Sequence, residues 1–192
     1  MITNRKILFV IPARGGSKRL LGKNIKLFAG KPLITYTIEC ARALAKDEEI
    51  CVSTDSKEII NVVKKLDLNV PFLRPLYLAT DKATTNDVLL HALNHYERKG
   101  KTYDTIILLQ PTSPFRKPHH IKDALSLYTN DIDMVVSVKK SKCASIICKE
   151  KPNGFLEMVI NNDLVRNQDF SNYYEYNGAI YIINIASLKK YG

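Results

Sequence analysis

Residues 6–24 read KILFVIPARGGSKRLLGKN. The apolar run ends at Ile11 and is stopped by Pro12. A short continuous run of this kind predicts a strand covered on both faces. The loop that follows mixes Gly15, Gly16 and Gly22 with Arg14, Lys18, Arg19 and Lys23. Glycines let backbone N–H groups come close to an anion, and the side chains add positive charge.

Outward from this stretch, strands and helices alternate. Pro32 suits a first helical turn, and Leu33–Lys46 continues with apolar residues at Ile34, Ile38, Ala41 and Ala45. Ile50–Thr54 reads as a second strand. Asp55 and Glu58 have capping-box spacing ahead of a helix with Ile59, Val62, Val63 and Leu66 inward. Val70–Leu73, Thr105–Leu109 and Met134–Val138 read as further strands, and Asn86–Arg98 and Pro118–Tyr128 as helices. This alternation predicts an α/β domain with a largely parallel sheet flanked by helices. Ligands in such sheets sit beyond the carboxyl ends of the strands. Those ends lead into residues 12–24, 55–56, 74–85 and 110–116. Residues 139–183 are rich in Asn, Lys and Tyr and read as an extension of strands that projects from the main sheet and pairs with another chain.

The chain has 192 residues and a net charge of +10. Residues 1–38 hold eight basic residues and no acid, while the remainder is nearly balanced. A nucleic acid, an anionic membrane and a small polyanion are the partners such a segment suggests. The stretch from Pro12 to Lys26 has no aromatic residue to stack on a base, so a small phosphate ligand is favoured over nucleic acid. No apolar run approaches the roughly 18 residues of a membrane span, and the N-terminal run is too short for a signal-peptide core. The cysteines, Cys40, Cys51, Cys143 and Cys148, form no CxxC pair, so a reducing cytoplasm is expected.

The loop is not a P-loop, because Ser17 stands where the first glycine belongs and Asn24 where the hydroxyl residue belongs. GxGxxG and GxSxG are both absent, which argues against a dinucleotide fingerprint and a hydrolase elbow. His91 and His95 lie one helical turn apart without an HExxH pattern, and packing is the simpler role. His119 and His120 open a helix. Asp131 and Asp133 precede a strand instead of following one, which favours a loop over a metal motif.

Six blocks carry a family resemblance. IPARGGSKRLLGKNI, FAGKPLITYTI, VSTDSKEI, LRPLYLATDKATTNDVLLHAL, LLQPTSPFR and NGAIYI follow one another from Ile11 to Ile182. Together they resemble the acylneuraminate cytidylyltransferases, that is, the synthetases of CMP-sialic acid and other CMP-nonulosonic acids. LLQPTSPFR separates the chain from the related CMP-Kdo synthetases, which carry an acidic block after the corresponding strand. The resemblance implies a Rossmann-like fold of the nucleotide-diphospho-sugar transferase type, one domain over residues 1–192 and a homodimer joined through residues 139–183.

It also implies that CTP and a nine-carbon 2-keto sugar acid give a CMP-sugar and pyrophosphate. Arg14 and Lys23 would stabilise the triphosphate and the transition state. Gly15, Ser17 and Lys18 would contact phosphate, and Asn24, Arg74 and Thr85 would hold cytosine and ribose. Gln110, Arg166 and Tyr181 would reach the sugar acid. Plainer roles compete: Arg74 closing a loop, Gln110 capping a strand, Arg166 at the surface, Tyr181 in the core. Family members continue beyond the equivalent of Gly192 with an acidic pair that binds Mg²⁺. The resemblance therefore implies Mg²⁺ without supplying its ligands here. A chain cut short is expected, with a naturally short or inactive nucleotide-binding form as the alternative.

Overall fold

The computed structural model describes residues 5–17, 20–140, 148–150, 156–158 and 174–191. The chain forms two compact units, Met1–Ser137 with Gly178–Gly192, and Val138–Asn177.

Strand β1 (Ile7–Pro12) is the axis of the first unit. Its residues alternate between two faces. Ile7, Phe9 and Ile11 join one buried cluster with Ile34, Ile38, Ile59, Val63 and Ile121. Leu8 and Val10 join a second with Leu89, Leu93, Ile106 and Leu188. Both faces are dry, so both sets are apolar and the run reads as continuous.

The other elements arrange themselves around it. Short β2 (Leu27–Phe28) and β3 (Lys31–Pro32) form a hairpin, turning through Ala29 and Gly30 at φ 45° and 84°. Helix α1 (Leu33–Arg42) follows, then β4 (Ile50–Ser53), α2 (Lys57–Lys64), α3 (Thr85–Glu97), β5 (Thr105–Leu108) and α4 (Pro118–Ser126). Strand β6 (Met134–Lys140), β7 (Cys148–Glu150), β8 (Leu156–Met158), β9 (Tyr174–Asn184) and α5 (Ile185–Tyr191) complete the order. The main sheet runs β4-β1-β5-β9-β6. β1 pairs in parallel with β4 and β5, and β9 runs antiparallel to β5. It is a mixed, mostly parallel sheet flanked by helices, as the alternation predicts. In the second unit β7 and β8 pair antiparallel, with Cys148 opposite Met158. No helix among the described residues is long and apolar enough to cross a membrane.

Four local expectations change. Helix α1 stops at Arg42, whose guanidinium donates to both Asp47 carboxylate oxygens at 2.8 and 2.7 Å and fixes the exit from the helix. The Ser56 hydroxyl, not Asp55, caps α2 by accepting from the Ile59 N–H at 3.3 Å. Val70–Leu73 is no strand: only Leu73 bridges Thr54, since Pro71 has no N–H to give a ladder. The Ala179–Ile183 run, read with the extension, lies inside the main sheet between β5 and β6.

The irregular 70–74 segment is held by rings. Phe72 lies 4.7 Å from His91 and 4.8 Å from His95, centroid to centroid, on α3. The helical turn between the two histidines therefore serves packing. Burial lowers both imidazole pKa values below 6.5, helped by Arg74 and Arg98 at His91, and by Lys99, His91 and Arg98 at His95. Both are depressed on folding, so the unfolded chain takes up protons first. Stability is full above 6.5 and falls as pH drops below it. Melting between about pH 7.5 and pH 5 should show this loss, and His91→Phe with His95→Phe should flatten it. An unchanged acid slope in the double variant would remove the histidines as its source.

Candidate functional site

Three segments meet beyond the carboxyl ends of β1, β4 and the Thr54–Leu73 bridge. The Gly15 N–H donates to Asp55 Oδ1 at 3.0 Å. The same oxygen lies 3.7 Å from Arg74 Nη2. A Cβ on Gly15 would fall 2.9 Å from the Ser56 Cβ, so the loop reaches this contact only as glycine. Gly22, at φ 62°, turns the chain into a short 3₁₀ turn over Lys23–Ile25. That turn brings Asn24 back, and its amide donates to the Arg14 carbonyl at 3.0 Å. The loop is thus held at its start by Asp55 and closed on itself by the Asn24–Arg14 bond.

The result is a cleft of about 350 Å³. Arg14, Ser17, Lys23, Asn24, Arg74, Thr85 and Gln110 line it, each of them singled out in the sequence. Gly15 lies behind it on Asp55. Tyr181 sits opposite Leu108 and packs against the cluster on the α3 side of the sheet, outside the cleft lining. Lys18 and Arg166 lie outside the described residues.

The lining is electropositive and incompletely paired. Arg14 Nη1 donates to Asp81 Oδ1 at 2.8 Å, and both side chains are well exposed. Arg74 is different: it is 4% exposed, and its Nε and Nη2 have no hydrogen-bond partner. The 3.7 Å approach of Asp55 is an ion pair too long to be a hydrogen bond. Burial lowers the Arg74 pKa, Asp55 opposes that, and Arg14 adds to it. Arg74 lines the cleft with its charge offset only by Asp55 at 3.7 Å, which favours an acceptor-bearing ligand there. Thr84 and Thr85, at the N-terminus of α3, place the positive end of that helix at the same wall.

Three residues important to this geometry carried no such role in the sequence reading. Asp55 has the spacing of a helix cap, but its position just after β4 is the signal that points to the site. Asp81 partners Arg14. Arg116 is buried beneath Gln110, donating to the Gln110 and Ala179 carbonyls at 3.4 and 2.6 Å and to the Thr37 hydroxyl at 3.0 Å. No spacing in the sequence reveals that contact.

A basic cleft of this kind, at the strand ends of a mostly parallel sheet, defines a nucleotide-binding α/β protein. The cytidylyltransferase family model matches residues 8–177. The chain is 43% identical over 187 residues to a CMP-N,N'-diacetyllegionaminic acid synthase of Legionella pneumophila, covering 92% of this chain and 77% of that protein. It is 36% identical over 189 residues to an N-acylneuraminate cytidylyltransferase of Escherichia coli, covering 93% of this chain and 42% of that longer protein. In fold it is similar to a CMP:2-keto-3-deoxy-manno-octonic acid synthetase solved with CTP, at a TM-score of 0.71 and 24% identity, over 97% of this chain and 77% of that one. The chain belongs to the cytidylyltransferase family.

The loop contact can be tested on its own. Gly15→Ala should cost about 1–3 kcal/mol in chemical denaturation, because its Cβ meets the Ser56 Cβ. Adding Ser56→Gly should return most of that loss, since glycine replaces a serine cap at a cost of only a few tenths of a kcal/mol. Equal destabilisation in the single and double variants would show that the Gly15–Ser56 contact is not the cause.

Proposed function

We propose that the chain transfers the cytidylyl group of CTP to the anomeric hydroxyl of a nonulosonic acid, releasing pyrophosphate. The observation that carries this is the cleft itself. Seven of the residues that the family resemblance assigns, Arg14, Ser17, Lys23, Asn24, Arg74, Thr85 and Gln110, line one basic cavity, which supports this reading. Membership of the family and the kinship with CMP-sugar acid synthases support the reaction class.

The chemistry asks mainly for positioning and charge. The hydroxyl oxygen forms a bond to the α-phosphorus, and the bond from that phosphorus to the β-phosphate oxygen breaks. The hydroxyl proton leaves to solvent and the pyrophosphate departs with its electron pair. Lys23 and Arg14 stand at the loop where that charge develops, and their effect is largest in the transition state. As triphosphate enters, it offers Arg14 an alternative to the exposed Asp81 carboxylate. Asn24, Arg74 and Thr85 supply donors for the nucleoside, and Gln110 an amide for the sugar acid. Both substrates are anionic, which the acid-poor N-terminal segment attracts.

Mg²⁺ is proposed on the resemblance alone. Among the described residues no three His, Cys, Asp or Glu gather as a metal site, and Asp81 in the cleft is engaged by Arg14. These residues do not by themselves fit a divalent ion, and no step here runs through one. A homodimer joined through residues 139–183 is also proposed, supported by the exposed Tyr174 and Tyr176 in that segment. The free, buried Cys40 and Cys51 support a reducing, cytoplasmic setting.

Pyrophosphate release should follow from CTP with N-acetylneuraminate, legionaminate or pseudaminate, with Mg²⁺ present, and calorimetry should favour CTP over ATP. Lys23→Ala should lower kcat about 100-fold and change the KM for CTP less than about threefold. Nucleotide binding without pyrophosphate release would leave a binding module in place of an enzyme. An unchanged kcat would take Lys23 out of the chemistry.

A further inference from the structure

Gly178 opens the last part of β9 at φ +73°, in the left-handed region. An added Cβ would lie 3.1 Å from Gln110 Oε1 and 3.8 Å from its Cδ. The Gln110 side-chain amide therefore rests on the bare face of this glycine. One residue further, the Ala179 carbonyl accepts from Arg116 Nη1 at 2.6 Å, and the same nitrogen donates to the Gln110 carbonyl at 3.4 Å. Arg116 is buried, donates to two carbonyls and the Thr37 hydroxyl, and lies against the Cys40 thiol. Charge-assisted bonds from a buried guanidinium are strong and directional. They tie the backbone at Gln110 to the backbone beside Gly178. The backbone spacing is fixed by Arg116, and the room for the amide is left by Gly178.

The geometry points to Gly178 as a positioning residue for the sugar acid: its missing side chain lets Gln110 lie against β9 and sets where the amide lines the cleft. This rests on the proposed role of Gln110 at the sugar-acid end of the site. A Cβ at 3.1 Å is closer than such contacts ordinarily come, so the amide must move by a few tenths of an ångström. Strain from φ +73° is a separate effect, acting on stability and not on the amide.

A double-variant cycle separates these effects, read as KM for the sugar acid and KM for CTP in the pyrophosphate assay. Gln110→Ala should raise the sugar-acid KM about five- to tenfold, the worth of one neutral hydrogen bond, and leave that for CTP unchanged. Gly178→Ala should raise the same KM by a similar factor. Gly178→Asn tolerates positive φ better and should match Gly178→Ala in KM while melting at a higher temperature. Gly178→Ala combined with Gln110→Ala should be no worse than Gln110→Ala alone, because no amide remains to displace. Multiplicative losses in the double variant would overturn the proposal, as would a normal sugar-acid KM in Gly178→Ala beside a raised one in Gln110→Ala. A normal sugar-acid KM in Gln110→Ala would instead overturn the role of Gln110 on which the proposal stands.

Discussion

One carboxylate oxygen joins the parts of the site. Oδ1 of Asp55 accepts from the Gly15 N–H at 3.0 Å and lies 3.7 Å from the Arg74 guanidinium. It follows β4, Gly15 follows β1, and Arg74 follows the single bridge to Leu73. Without a negative charge at this point the loop would keep an open N–H, and a buried guanidinium would have no counter-charge. Parallel strands can bring these segments to one end of a sheet, but their loops still have to be fastened to each other. Asp55 is the fastening, and the small size of Gly15 is its steric condition.

The cleft then follows from what Asp55 leaves undone. At 3.7 Å it offsets the Arg74 charge without occupying the Arg74 donors. Burial raises the value of any acceptor that arrives, because the donors are already stripped of water. Arg14 has the opposite character: it is exposed, already paired with Asp81, and free to exchange one anion for another at small cost. The cleft thus sets a buried guanidinium beside an exposed one.

The sequence was most legible where one physical cause dominates. β1 shows as a continuous apolar run because helices cover both its faces. Arg14 and Lys23 show because glycines and positive charge at a strand end mark a place for an anion, whereas Asn24, Arg74, Thr85 and Gln110 show only through the family resemblance. Legibility failed where a residue serves through distance. Asp55 has capping-box spacing with Glu58, yet its carboxylate turns to a residue forty positions away and leaves the cap to Ser56. The Val70–Leu73 run has strand composition, but Pro71 denies it a ladder, and its anchoring to α3 depends on Phe72 packing edge-on and tilted against two histidines. The insertion of β9 between β5 and β6 is a long-range pairing that local alternation does not encode.

The two buried arginines show why side-chain type alone does not decide function. Arg74 and Arg116 are 4% and 7% exposed, and burial lowers the pKa of both. Each follows the carboxyl end of a strand or bridge. Arg116 gives Nη1 to two carbonyls and Nη2 to a hydroxyl, with only Nε left unpartnered, and so joins α1, β9 and the end of β5. Arg74 leaves Nε and Nη2 open and lines the cleft. The difference is in the accounting of donors, which needs the fold. On that accounting Arg116 braces the wall and Arg74 lines the cleft, and exchanging their places would require moving the acceptors, not the arginines.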